Sequence, residues 1–155
     1  TLEEAVRGVS IVTLISRASE PLLDAFCIDR GTLLIAAGAI LPTHAECYPN
    51  VLARSTVIVV DSLGNARKNS RELREHFDGN PGGWAEVKTL GALLKDGITA
   101  SALEDISFFK PVGTGLSDLS VAIMAYERAV QAGIGLSIYQ PKRVSPRWRS
   151  AAAAV

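Results

Sequence analysis

Short runs of β-branched and apolar residues recur along this chain, separated by stretches with helical spacing. Val9-Ser10-Ile11-Val12-Thr13-Leu14-Ile15-Ser16 shows no clean alternation, which predicts a strand buried on both faces, as in a parallel sheet. Leu33-Leu34-Ile35-Ala36-Ala37, opened by Gly31-Thr32 and stopped by Gly38, is a second strand. Val57-Ile58-Val59-Val60 is a third, ending at Asp61, and Asp105-Ile106-Ser107-Phe108-Phe109 a fourth. Helix signals fall between them. Thr1 followed by Glu4 has the form of a capping box, opening a short helix over 2–7 that closes at Gly8. Residues 20–26 suit a short helical turn, and 46–54 a helix broken by Pro49. The charge-dense stretch 65–77 reads as a helix with a solvated face. After the turn Asp78-Gly79-Asn80-Pro81-Gly82-Gly83, residues 84–95 place Val87, Leu90, Leu93 and Leu94 at helical spacing. The longest helix spans 116–132, with Leu116, Leu119, Ile123, Tyr126 and Val130 on one face and Ala122, Ala125, Ala129 and Ala132 on another.

Alternating strands and helices mean an α/β layered fold with a mostly parallel sheet. Ligands of such sheets sit outside the carboxyl ends of the strands. The segments to inspect are therefore Ser16-Arg17, residues 38–44, Asp61-Ser62 and residues 110–115. Gly38 would let a ligand approach the backbone closely. His44 offers a proton donor or a phosphate contact, although a plain loop histidine is the commoner case, and His76 reads as a surface residue. Gly113-Thr114-Gly115, before the long helix, could cradle a phosphate or carboxylate on backbone N–H groups. It is no P-loop, because Lys110 precedes the glycines instead of following them.

Composition narrows the function classes. The 155 residues carry 16 Lys and Arg against 16 Asp and Glu, which argues against a nucleic-acid partner or a polybasic membrane surface. The longest uncharged run, residues 31–45, is shorter than the ~20 residues a spanning helix needs and contains Gly38 and Pro42. Two cysteines, Cys27 and Cys47, make no disulfide framework and suggest reduced thiols in the cytoplasm. The sequence holds no HExxH, CxxC, GxSxG or GxGxxG motif, so no metal site is expected. It begins with Thr, and the expectation is that further sequence lies upstream.

Residues 105–119, Asp-Ile-Ser-Phe-Phe-Lys-Pro-Val-Gly-Thr-Gly-Leu-Ser-Asp-Leu, followed by Ala125-Tyr126-Glu127-Arg128-Ala129, resemble the C-terminal signature of the ornithine cyclodeaminase/mu-crystallin family. In that family a strand leads through Phe-Lys-Ser-Val-Gly into a helix ending Tyr-Glu-Arg-Ala. Glu20-Pro21, Gly31-Thr32, Gly38-Ala39, Pro42, Glu46 and Val59-Val60-Asp61-Ser62 keep the family's order upstream, and the likeness covers roughly residues 1–135. It implies an NAD(P)-dependent enzyme about twice this length. Residues 1–115 would be the second half of a Rossmann-like, three-layer dinucleotide-binding domain. Residues 116–135 would be a helix returning to a substrate and dimerisation domain, and residues 136–155 a poorly ordered tail.

Carried over singly, Gly38, Ala39, Lys110, Val112 and Gly113 correspond to segments that contact the cofactor, NAD or NADP. Ile40 stands where cyclodeaminases place an acid/base Asp, His44 where they place a Lys, and Pro111 where the signature has Ser. Leu14 and Ile15 replace a Thr and a small residue beside the cofactor. Isoleucine cannot transfer a proton. The resemblance therefore implies an imine or ketimine reductase or an amino-acid dehydrogenase, acting on a small amino or imino acid as a homodimer. The alternatives are an ornithine cyclodeaminase-like lyase and a non-catalytic, crystallin-like module.

Overall fold

The computed structural model describes residues 1–97 and 104–139; most of the tail expected over 136–155 lies outside them. The chain divides into two compact units, Thr1–Leu119 and from Ser120 onward.

The first unit is built on a wholly parallel five-stranded sheet in the order β1-β2-β5-β3-β4. The strands are β1 (Ile11–Leu14), β2 (Leu33–Ala36), β3 (Ser55–Val60), β4 (Lys88–Thr89) and β5 (Ile106–Lys110). The helices are α1 (Leu2–Val6), α2 (Pro49–Arg54), α3 (Leu63–Asn69), α4 (Arg71–Phe77), α5 (Leu90–Asp96) and α6 (Gly115–Gln131). From β2 the chain skips one place to β3, and β5 later fills the gap. Parallel crossovers are right-handed, so the two directions of travel put their connections on opposite faces. On one face Val12, Leu14, Leu34, Ala36, Ile58, Val60, Ile106 and Phe108 pack with Val51 and Leu52 of α2, Ala66 of α3, and Leu73 and Phe77 of α4. On the other, Leu33, Val57, Val59 and Phe109 meet Leu90 and Leu93 of α5 around an apolar cleft of about 330 Å³.

Several expectations are corrected. β1 is buried on one face only: Val12 and Leu14 point into the core, while Ile11 is 61% exposed. It is the sheet's edge strand here, and among the described residues no helix covers its other face. Pro49 does not break a helix but starts one, where its missing N–H costs nothing. Before it Glu46 lies in a bend, and Cys47 forms an isolated parallel bridge with Leu23. In 20–26 the only helical turn is the 3₁₀ turn Ala25–Cys27, capped by Asp24. The single helix expected over 84–95 is a 3₁₀ turn (Gly83–Ala85), then β4, then α5 capped by Thr89. Trp84 sets that break. It packs on Phe77 at 5.4 Å, lies under the Arg67 guanidinium at 5.2 Å and donates Nε1–H to Asp78 at 2.9 Å. The stretch 65–77 is two helices meeting at Ser70, which closes α3 and caps α4 by accepting from the Leu73 N–H. Its solvated face is interrupted by Glu72, which is buried.

Arg54, at the end of α2, links the amino end of β5 to the connection between β1 and β2. It holds Asp105 bidentately, at 2.6 and 3.2 Å, and donates to the carbonyls of Ala25 and Ile28. The Arg54 hydrogen bond holds the Asp105 carboxyl below its ordinary pKa against a smaller opposing effect of burial. Arg54→Ala should cost about 2 kcal/mol in urea unfolding, since two carbonyls and a carboxylate lose a charged donor. A loss within error of zero would show these contacts to be incidental.

In the second unit α6 runs on to Gln131, and the chain turns at Gly133, whose φ is +66°. Tyr126, Val130, Ile134 and Ile138 line a pocket of about 440 Å³ there. No helix among the described residues is long and apolar enough to cross a membrane.

Candidate functional site

Ligands of open parallel sheets sit at the carboxyl edge of the strands. A groove of about 520 Å³ lies there, between Ala37 and Ile40 after β2 and the segment 111–115 after β5, with Asp118 at its rim. A second groove of about 290 Å³ adjoins it across Ile40, lined also by Arg17, Gly38, Leu41 and His44.

Three buried charged side chains lie under the edge. Lys110 points to the core face because it continues the period-two series of Ile106 and Phe108. Its Nζ lies 3.3 Å from Glu72 Oε2 and 4.0 Å from Glu46 Oε2. Glu72 also accepts from the Glu46 N–H at 2.8 Å and the Ser70 hydroxyl at 3.1 Å. Glu46 Oε1 accepts from the N–H and hydroxyl of Ser16, both at 2.7 Å, and Oε2 from the Gly38 N–H at 2.8 Å. Burial alone would raise the Glu46 pKa. The donors from Ser16, Gly38 and Ala39 together outweigh it, so the carboxyl sits below its ordinary value. One carboxylate thus ties the ends of β1 and β2 to each other and, through Lys110, to β5. Burial pushes the neighbouring Cys47 thiol far up, leaving it protonated and unreactive.

Gly38 is small for a different reason than the one read from the sequence. A Cβ there would lie 2.0 Å from Ser16 O, 2.2 Å from Ser16 N and 2.4 Å from Glu46 Oε1. The side from which a Cβ would project is filled by Ser16 and Glu46.

Asp61, at the end of β3, holds the segment after β5. Its carboxylate accepts from the N–H groups of Gly113 at 2.7 Å, Val112 at 3.1 Å and Ser62 at 2.7 Å. Asn65 Nδ2 donates to the Gly113 carbonyl at 3.2 Å, and Gly113 has φ +90°. One N–H of the anion cradle expected at Gly113-Thr114-Gly115, that of Gly113, is therefore taken from within by Asp61, as is the Val112 N–H before it. The Thr114 hydroxyl accepts from the Ser117 N–H at the start of α6. Asp61→Ala should speed amide exchange at Val112 and Gly113 and lower stability by about 1–3 kcal/mol, with Asp61→Asn losing less. Unchanged exchange at both amides would contradict the role given to Asp61.

Of the residues singled out in the sequence, Gly38, Ile40, Val112 and Gly113 line the two grooves. Ala39 and Lys110 are fully buried beneath them, so the Lys110 ammonium faces the two glutamates instead of the crevice. Asp61 lies in a segment that the strand ends marked for inspection, whereas Glu46 and Glu72 were not picked out as site residues. The signal for those two was Lys110 itself, a lysine in phase with Ile106 and Phe108 that needs a buried counter-ion. Among the described residues no group of His, Cys, Asp or Glu could hold a metal ion.

The model of the ornithine cyclodeaminase/mu-crystallin family matches residues 1–133. The chain belongs to this family. An uncharacterized cyclodeaminase of Sinorhizobium fredii is 29% identical over 136 residues, covering 85% of this chain and 40% of that protein. A Delta(1)-pyrroline-2-carboxylate reductase of Bacillus cereus is 27% identical over 140 residues, covering 87% and 42%. Among solved structures, an archaeal alanine dehydrogenase dimer with bound NAD superposes with a TM-score of 0.72 at 28% identity, over 90% of this chain and 43% of that one. The chain thus spans about two-fifths of the length of these family members.

Proposed function

We propose that this chain forms the nicotinamide-facing half of a dinucleotide site in an enzyme that reduces imino acids or oxidises amino acids. The observation that carries this reading is the groove at the carboxyl ends of β2 and β5, floored by Ala37, Ile40, Pro111 and Val112. Its apolar walls suit the face of a flat nicotinamide ring. Gly38, Ala39 and Gly113 would support the cofactor through backbone, and the Lys110 ammonium acts from below through Glu46. The pyrophosphate would need donors other than Val112 and Gly113, whose N–H groups Asp61 occupies. The family relatives with bound NAD or reductase activity support the cofactor assignment, with NAD and NADP both open.

When bound, the reduced cofactor supplies a hydride to the imine carbon. Ile40 presents hydrocarbon to the groove and is 45% exposed. It can exclude water from one side but can neither accept nor donate a proton, so the imine nitrogen takes its proton from solvent. That absence favours reduction over deaminating cyclisation. A homodimer fits the alanine dehydrogenase assembly, and free Cys27 and Cys47 fit a reducing, cytoplasmic setting.

The test is NADH and NADPH oxidation by the product of the complete reading frame, with cyclic imines and with 2-oxo acids plus ammonia. Imine-dependent oxidation is expected, without conversion of ornithine. The likeness to a named cyclodeaminase supports a second reading, a lyase, and proline formed from ornithine without an added imine would establish it instead.

A further inference from the structure

The smaller groove has a composition that the reductase reading does not use. Arg17 and His44 are its polar side chains, set against an apolar wall of Ile40 and Leu41. Arg54 and Arg71 are engaged by Asp105 and by Glu20 and Glu75 respectively, whereas Arg17 has no hydrogen bond or ion pair among the described residues. His44 Nδ1 faces the Thr43 hydroxyl at 3.1 Å, which leaves Nε2 for another partner. Among the described residues no carboxylate lines the groove. Glu46, the acid beneath Gly38, is fully buried with its oxygens already accepting from Ser16 and Gly38.

We propose that this groove is an oxyanion subsite. Arg17 and His44 bind a carboxylate of the substrate, while Ile40 and Leu41 pack on its short hydrocarbon stem. A guanidinium offers a planar pair of donors that matches carboxylate geometry. An imidazole adds a third donor, and the apolar wall lowers the competition from water. Because the groove meets the cofactor groove at Ile40, a carboxylate held here stands one side chain away from the reacting carbon. The subsite therefore selects imino acids with a second, side-chain carboxylate over those with a neutral or cationic side chain. A phosphate oxygen of the cofactor presents the same chemistry, and the tests separate the two.

This assignment rests on the reductase reading for its kinetic test. With the complete reading-frame product, KM for a dicarboxylic imino acid should be below that for its monocarboxylic analogue. Arg17→Met should raise the former about tenfold, in the range of one charged hydrogen bond, and leave the latter unchanged. Arg17→Lys should recover part of the loss. Arg17 is exposed, so these variants should fold as the wild type does. An equal effect on both substrates, or none, overturns the proposal. A rise confined to the Kd for NADH assigns the groove to a cofactor phosphate and overturns it as well. A binding test needs no turnover: succinate, but not succinamide, should shift the His44 ring resonances saturably in wild type and not in Arg17→Met. If no imine is reduced, the reductase reading fails while the succinate titration still decides the subsite.

Discussion

Gly38→Ala is expected to lower the unfolding free energy by about 3 kcal/mol or more, since among the glycines its added methyl meets the closest backbone contacts. The added carbon would fall 2.0–2.2 Å from backbone atoms of Ser16, and backbone cannot swing aside as a long side chain can. The end of β2 must then move away from the end of β1. Glu46 would lose its grip on one of them, because its two oxygens span that junction. The loss should appear in urea unfolding together with faster amide exchange at Ser16 and Gly38. A variant as stable as wild type would mean that the strand ends can separate freely, and that Glu46 does not fix the edge.

Lys110→Met is the second large effect, expected to cost about 3–5 kcal/mol, because it leaves Glu46 and Glu72 buried without their cation. Methionine fills a similar length, so the loss measures charge more than volume. The pH dependence gives the sign. In wild type the Glu46 carboxyl is held below its ordinary value. Its contribution is present above the unfolded-state pKa, about 4.3, and is lost as pH falls through the lower folded value. In the variant the buried negative charges oppose each other, so protonation relieves them. The deficit against wild type should be greatest near neutral pH and shrink on acidification. Adding Glu72→Gln to Lys110→Met should recover stability, while Glu72→Gln alone should lose it. A deficit independent of pH, or strictly additive variants, would reduce Lys110 to a packing residue.

What the sequence made legible follows from the physics of each signal. The long strands announce themselves because a sheet covered by helices requires β-branched, apolar runs, and Ile11–Leu14, Leu33–Ala36 and Val57–Val60 lie where those runs fall. α6 was readable from helical spacing alone. Two-residue β4 was not, since Lys88 and Thr89 are too short a run to carry a strand signal, and their pairing with β3 is a long-range contact. Glu72 was hidden because Arg71, Arg74 and Glu75 around it are charged, so local composition suggested water where the fold supplies Lys110. The groove positions Gly38, Ile40, Val112 and Gly113 were legible through the family signature. The reason for Gly38 was not, since it depends on Glu46 reaching from another segment.

Whether the β2–β5 crevice receives the nicotinamide end of a dinucleotide is measured most directly by an NADH titration of the isotope-labelled, complete reading-frame product, followed by amide chemical shifts. Saturable shifts should concentrate at Gly38, Ile40, Val112 and Gly113, with Ile40→Glu weakening them by placing a charge against the ring. No saturable shift at millimolar NADH would contradict the account. So would shifts confined to the apolar cleft between Leu90, Leu93 and Phe109 on the opposite face.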